Sequence, residues 1–244
     1  MKYISLLIAP LLLSLLIGCA GKSADQAMDP EAVKYEAMEA FNSGRYVTAL
    51  KHFSTLTDRF PFSQYSLMAE LKSADCHYYL NHYTEAIAAY QAFEQSHPTN
   101  EAVPYTMFQM GMSHYNQLDT IDRDPASATH AISAFNKLIR SYPQSSYREE
   151  ARSRIKAARN FLANHEMYVA RFYIKTDKLK QATSRLEYLL DHYPDSTVVT
   201  EAEDTLALLK TGTKPAGSWT DWLPDFGMPE WEDLTSYKPG GAEG

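Results

Sequence analysis

The chain has 244 residues, 45% of them hydrophobic, and a formal net charge of −7. That is enough apolar sequence for a sizeable core. An acidic chain without basic runs is not built to grip nucleic acid or to hold an anionic membrane surface by charge.

The first residues read as a targeting signal. Lys2 gives a short basic start, and Ile4 to Ile17 is an apolar run broken only by Ser5, Pro10 and Ser14. The run is too short for a stable membrane span and ends in small residues, as a secretory signal does at its cleavage site. Plain secretion with a chance cysteine is one reading of Leu16-Ile17-Gly18-Cys19. The stretch also resembles the bacterial lipobox, in which cleavage before the cysteine follows its lipid modification. That resemblance implies a signal peptide at 1–18 and a covalent diacylglycerol and N-acyl lipid on Cys19, with no other cofactor. Ala20 stands where an aspartate would imply inner-membrane retention, so the expected location is the periplasmic face of the outer membrane. Several acyl chains anchor firmly, each buried methylene contributing about 0.8 kcal/mol. Only Cys76 then remains as a thiol, so no internal disulfide forms and the core alone must hold the fold.

Residues 19–29 are small and polar, a lipidated tether. Asp29-Pro30-Glu31 is a helix start, with Asp29 as cap and Pro30 in the first turn. Helical patterning then runs to about residue 210. It breaks near 43–45, 60–64, 80–82, 97–100, 117–125, 142–146, 163–165, 176–178 and 193–196, which predicts ten helices. The connections are mostly two to six residues, so neighbours run antiparallel. Strand-like alternation is absent.

Four of the breaks share one motif: Phe60-Pro61-Phe62-Ser63, His97-Pro98-Thr99-Asn100, Tyr142-Pro143-Gln144-Ser145 and Tyr193-Pro194-Asp195-Ser196. Proline stops a helix, and the Ser or Asn after it can cap the next. Aligned on these prolines, small and aromatic residues recur in tetratricopeptide (TPR) positions. The first unit has Ala37, Gly44, Tyr46, Ala49, Phe53 and Leu56, and the second has Ala74, Tyr83, Ala86, Tyr90 and Phe93. The third has Gly111, Ala131, Phe135 and Leu138, and the last has Ala170, Tyr173, Ala182, Leu186 and Leu189. The expected fold is all-α, a TPR-type helical-hairpin solenoid over 30–210 with about ten helices in five hairpins.

Two segments depart from the repeat. Asp119 to Pro125 is acid-rich and joins the helices of the third hairpin. It lacks the glycine turn and terminal glutamate of an EF-hand loop, so capping and solvation are its expected uses, not a metal site. The tail, 211–244, is rich in Gly, Pro and acids and holds all three tryptophans, Trp219, Trp222 and Trp231. Either it is a peptide that docks on a partner with those indoles as anchors, or it folds back over the last helices.

No catalytic constellation is present in the sequence. The eight histidines are scattered, without an H-E-x-x-H pair or a Cys/His cluster, and there is no phosphate-binding glycine loop. Glu149, Glu150 and Glu166 lie among basic residues and read as solvated helix faces. A TPR solenoid instead offers a groove for an extended or helical peptide. Tyr35, Tyr65, Tyr78, Tyr79, Tyr105 and Phe108 are its candidate lining, with core filling as the competing role for each.

Taken together, these parts resemble the BamD family of lipoproteins of the outer-membrane β-barrel assembly machine. The likeness covers about 19–210. It is carried by Phe60–Ser66, Asp122-Arg123-Asp124-Pro125, Lys137–Pro143, Tyr168–Tyr173, Arg185-Leu186-Glu187 and Asp191–Ser196. It implies a non-enzymatic scaffold with two surfaces. The N-terminal hairpins, with Phe62 and Tyr65 at the substrate end, would bind unfolded outer-membrane proteins. The C-terminal hairpins would dock the periplasmic domains of the barrel subunit through Arg185, with Glu187 as a neighbour, and other assembly lipoproteins would be further partners. The chain departs from better-known members in a shorter connection before Asp122 and in the tryptophan-bearing tail. The competing assignment is another TPR lipoprotein adaptor, such as a secretin pilotin or a peptidoglycan-associated envelope factor.

Overall fold

The computed structural model describes residues 28–213 and Pro215. Cys19, the signal peptide, most of the tether and Trp219, Trp222 and Trp231 lie outside them. The described residues are all-α, with nine helices: α1 Pro30–Asn42, α2 Tyr46–Arg59, α3 Ser66–Tyr79, α4 Tyr83–Ser96, α5 Val103–Tyr115, α6 Ala126–Ser141, α7 Arg148–Lys175, α8 Leu179–His192 and α9 Val199–Lys210. They group into two compact units, one carrying α1–α3 and the other α4–α9.

The proline motif has one geometry in all four copies. The residue before each proline, Phe60, His97, Tyr142 and Tyr193, sits at φ between −131° and −135° and ψ between 50° and 68°. The ring that follows disfavours the α conformation at this position, and the helix ends there. Each of these residues still donates its amide to the carbonyl four back, at Leu56, Phe93, Leu138 and Leu189. Each carbonyl then accepts the amide three residues on, at Ser63, Asn100, Ser145 and Ser196.

Capping differs from the expectation. Asn100 Oδ1 accepts the Ala102 amide at 2.8 Å and Ser145 Oγ the Tyr147 amide at 3.2 Å, both ahead of the helix proper. Ser63 and Ser196 have shielded hydroxyls with no partner. The opening cap is as expected: Asp29 accepts the Glu31 amide at 3.1 Å.

Three of the short turns between helices share another device. Gly44, Asn81 and Asp177 each stand two residues before the next helix with φ of +72°, +59° and +59°. Glycine adopts that left-handed conformation freely, and Asn and Asp are the side chains that tolerate it best.

The repeat positions form the cores. Ala37, Ala49, Phe53 and Leu56 are fully buried in the α1–α3 unit. In the other unit Ala131, Phe135 and Leu138 pack with α5 and the first half of α7, while Ala170, Ala182, Leu186 and Leu189 pack with its second half and α9. Burying each phenylalanine or leucine among them contributes about 1.5–3 kcal/mol, and each alanine methyl much less.

The expected break at 163–165 is absent: α7 runs unbroken for 28 residues. No proline or glycine interrupts 148–175, and Asn164 turns its amide back onto the Asn160 carbonyl at 2.8 Å instead of competing for the backbone. Ala151 and Ala158 serve one core, and Ala163, Met167 and Ala170 serve the next. A single helix thus spans the two cores for which the sequence predicts a pair.

Candidate partner-binding surfaces

In the α1–α3 unit the aromatic candidates divide by exposure. Phe62, in the turn between α2 and α3, is 100% exposed, and Tyr35 on α1 is 68% exposed. Tyr65 is half-buried, with Lys34 Nζ 5.6 Å from its ring centre. Tyr79 stacks on Tyr46 at 4.8 Å and meets Phe41 edge-on at 5.8 Å, and Tyr78 packs edge-on to Tyr79. Tyr79 thus packs the end of α3 against the turn between α1 and α2, with Tyr78 beside it. Of this set Phe62 and Tyr35 are the exposed aromatics, and Tyr65 is partly covered.

In the α4–α9 unit Tyr105 is half-buried, accepts a hydrogen bond from Gln109 Nε2 at 2.9 Å and faces Tyr147. Phe108 is buried between Phe135 and Tyr147, stacked on the latter at 5.0 Å. It belongs to the core and does not line a groove: its position on α5 points it toward α6 and α7.

Both docking candidates on α8 already hold internal ion pairs. Arg185 Nη1 lies 3.1 Å from Glu166 Oε2 on α7, and Glu187 lies 3.2 Å from Lys210 Nζ on α9. Glu166 is therefore not an ordinary solvated face. Its partner stands 19 residues away, beyond any local spacing pattern. Glu149 and Glu150 do pair along their own helix, with Arg152 and Arg154, and Arg154 is buried against the Tyr115 ring. Arg171 reaches Glu201 on α9 at 2.5 Å. Beside Arg185, Tyr188 is 40% exposed and stacks on His192 at 3.9 Å, while Phe172 on α7 is 53% exposed. Tyr188 and Phe172 carry no local signal that would set them apart from core aromatics.

The Asp119–Pro125 connection is held by its own residues and by one contact to α7. Asp124 Oδ1 accepts the Ala126 amide at the start of α6, Asp119 pairs with Arg123, and the Ile121 carbonyl meets His165 Nδ1 on α7. The Asp122 carboxyl is drawn below its ordinary value, mainly by a hydrogen bond from Thr120. Capping thus accounts for Asp124, as its place before α6 suggests. No described helix is long and apolar enough to cross a membrane.

The profile of the YfiO family, described as outer membrane lipoprotein, matches residues 26–212. Outer membrane protein assembly factor BamD of Vibrio cholerae serotype O1 is 32% identical over 198 residues, covering 76% of this chain and 82% of that protein. The factor of the same name from Neisseria gonorrhoeae is 29% identical over 209 residues, covering 81% and 77%. A solved TPR protein of Thermus thermophilus aligns at 14% identity and a TM-score of 0.41, over 75% of this chain and all of that one. The hairpin geometry above stands without it.

Proposed function

Because the chain belongs to the YfiO/BamD family of outer membrane lipoproteins, we propose that it is a non-enzymatic assembly factor for outer-membrane proteins. The observation that carries this reading is the match along residues 26–212, which takes in every described helix. A lipid on Cys19 holds the chain at the periplasmic face of the outer membrane, and the tether sets the α1–α3 unit nearest the anchor in sequence.

On this reading the scaffold works by presenting two separate surfaces. Phe62 and Tyr35 offer exposed aromatic contact for an unfolded barrel protein, whose own aromatic and backbone groups are not yet paired. Arg185 and Tyr188 on α8 offer a charged and aromatic pair for the periplasmic domains of the barrel subunit. A guanidinium holding one carboxylate keeps further N–H donors for a second. Rim charges of this kind set orientation and association rate more than affinity.

A photocrosslinker placed at Tyr188 in cells tests the reading. Capture of a large barrel protein, together with loss of many barrel proteins on depletion, is the expected result. Capture of a secretin alone, or depletion that spares barrel proteins, sinks it.

A further inference from the structure

Where α7 meets the α8–α9 turn there is a cleft of about 400 Å³. Arg152, Lys156 and Arg159 line it from α7, opposite Tyr193, Asp195 and Ser196. Arg159 has a structural task, donating to the His192 carbonyl at 2.7 Å and lying 5.4 Å from the Tyr193 ring centre. Lys156 makes no ion pair among the described residues. Arg152 reaches only Glu149 on its own helix, at 3.2 Å. Ser196 Oγ is shielded and has no partner. Three cations face one carboxylate beside the Tyr193 ring. That combination suits an acidic ligand carrying an aromatic anchor.

The chain supplies such a ligand itself. From Lys214 onward it has six acids against two lysines, and Trp219 and Trp222 flank Asp221. The cleft includes Ser196, three residues before α9 begins, and the tail leaves from the other end of that helix. Twelve helical residues span about 18 Å. The stretch from Thr213 to Trp222 can reach about 30 Å when extended. A tail that doubles back along α9 therefore arrives at the cleft with length to spare.

We propose that the C-terminal tail is an intramolecular ligand of this cleft, with Asp221 and Asp225 set against Lys156 and Arg152 and Trp222 against Tyr193. An acidic partner segment that needs those cations must first displace it. This contact is independent of the assembly role proposed above.

Every tryptophan of the chain lies in the tail, so indole fluorescence reports on that segment alone. In the full mature chain, emission should lie blue of indole in water and resist acrylamide quenching. The double variant Arg152→Glu/Lys156→Glu should shift emission red and raise quenching toward that of free tryptophanamide, with helical circular dichroism unchanged. Salt near 1 M, which cuts the screening length to about 3 Å, should lower the protection of the unaltered chain. Solvent-like emission in the native chain overturns the proposal. So does protection that ignores both charge reversal and salt, as indoles buried in detergent would show. Protection that fades on dilution places the tail on a second copy, and overturns it too.

Discussion

Arg185 on α8 and Glu166 on α7 form an ion pair in which the carboxylate is mostly sheltered and the guanidinium half exposed. The pair holds the Arg185 guanidinium in a set orientation over α7. It also means that the structural part of Arg185 must be separated from the docking part proposed for it.

A charge reversal and its compensation separate them. Arg185→Glu sets two carboxylates against each other and should cost about 1 kcal/mol of stability, the scale of a partly exposed pair. Co-purification of a barrel protein should fall with it. The swap Glu166→Arg/Arg185→Glu restores the internal pair with its poles exchanged, so thermal stability should return while co-purification stays low. If both return together, Arg185 acts only through the fold.

Exposure makes an opposite prediction for two aromatic residues that the sequence assigns to the same groove. Phe62 touches little, so Phe62→Ala, alone or with Tyr35→Ala, should leave unfolding free energy within about 0.5 kcal/mol. Binding of a peptide from the aromatic C-terminus of an unfolded barrel protein should weaken. Phe108→Ala should instead cost about 3–5 kcal/mol, the usual loss for a buried phenylalanine. Denaturant titration and peptide anisotropy on the same samples check both. Unchanged peptide affinity in Phe62→Ala removes that residue from the substrate surface.

Much of this fold is legible because its punctuation is chemical. The residue before each of the four motif prolines is pushed out of the helical conformation, and all four copies end a helix with nearly the same dihedrals. Small and aromatic repeat positions become core because they recur at fixed distances from that stop. The break expected in α7 does not form. Asn164 is a poor helix former locally, yet its side chain finds the Asn160 carbonyl and the neighbouring cores hold the helix on both sides. The surfaces are less legible. Phe108 and Phe62 are the same residue type, and only tertiary packing separates buried from bare. Glu166 and Arg185 find each other across two helices, a relationship no periodicity encodes.

Gly111 illustrates a repeat position that sequence identifies but whose strictness only packing reveals. A Cβ there would fall 2.6 Å from Phe135 Cδ1 and 2.9 Å from Cζ, where α5 and α6 approach. Gly111→Ala should therefore destabilise by about 1–3 kcal/mol despite the better helix propensity of alanine. Adding Phe135→Leu should recover part of the loss, since the two changes share one contact and will not add. Chemical denaturation of the two single variants and the double checks this. Strict additivity rules out the clash.

Cys76 gives a pH signature. Its thiol is fully buried, and burial, helped by the neighbouring Asp75 carboxylate, pushes it from the ordinary 9.0 up to about 12. In the native chain it should resist alkylation at pH 8 and react only on unfolding. The sign of the linkage follows from the protons. Between about pH 9 and 12 the unfolded thiol is deprotonated while the folded one keeps its proton, so the unfolded state binds fewer and stability falls as pH rises. Tyr193, pushed by burial from 10.0 to about 12, adds a decline of the same sign. Cys76→Ala should be less stable than the native chain at pH 8, because it loses packing, but its stability should fall less steeply above pH 9. The gap between the two then narrows with rising pH. A gap that stays constant from pH 8 to 11 means the thiol titrates normally in the fold, and that its burial is relieved by local opening.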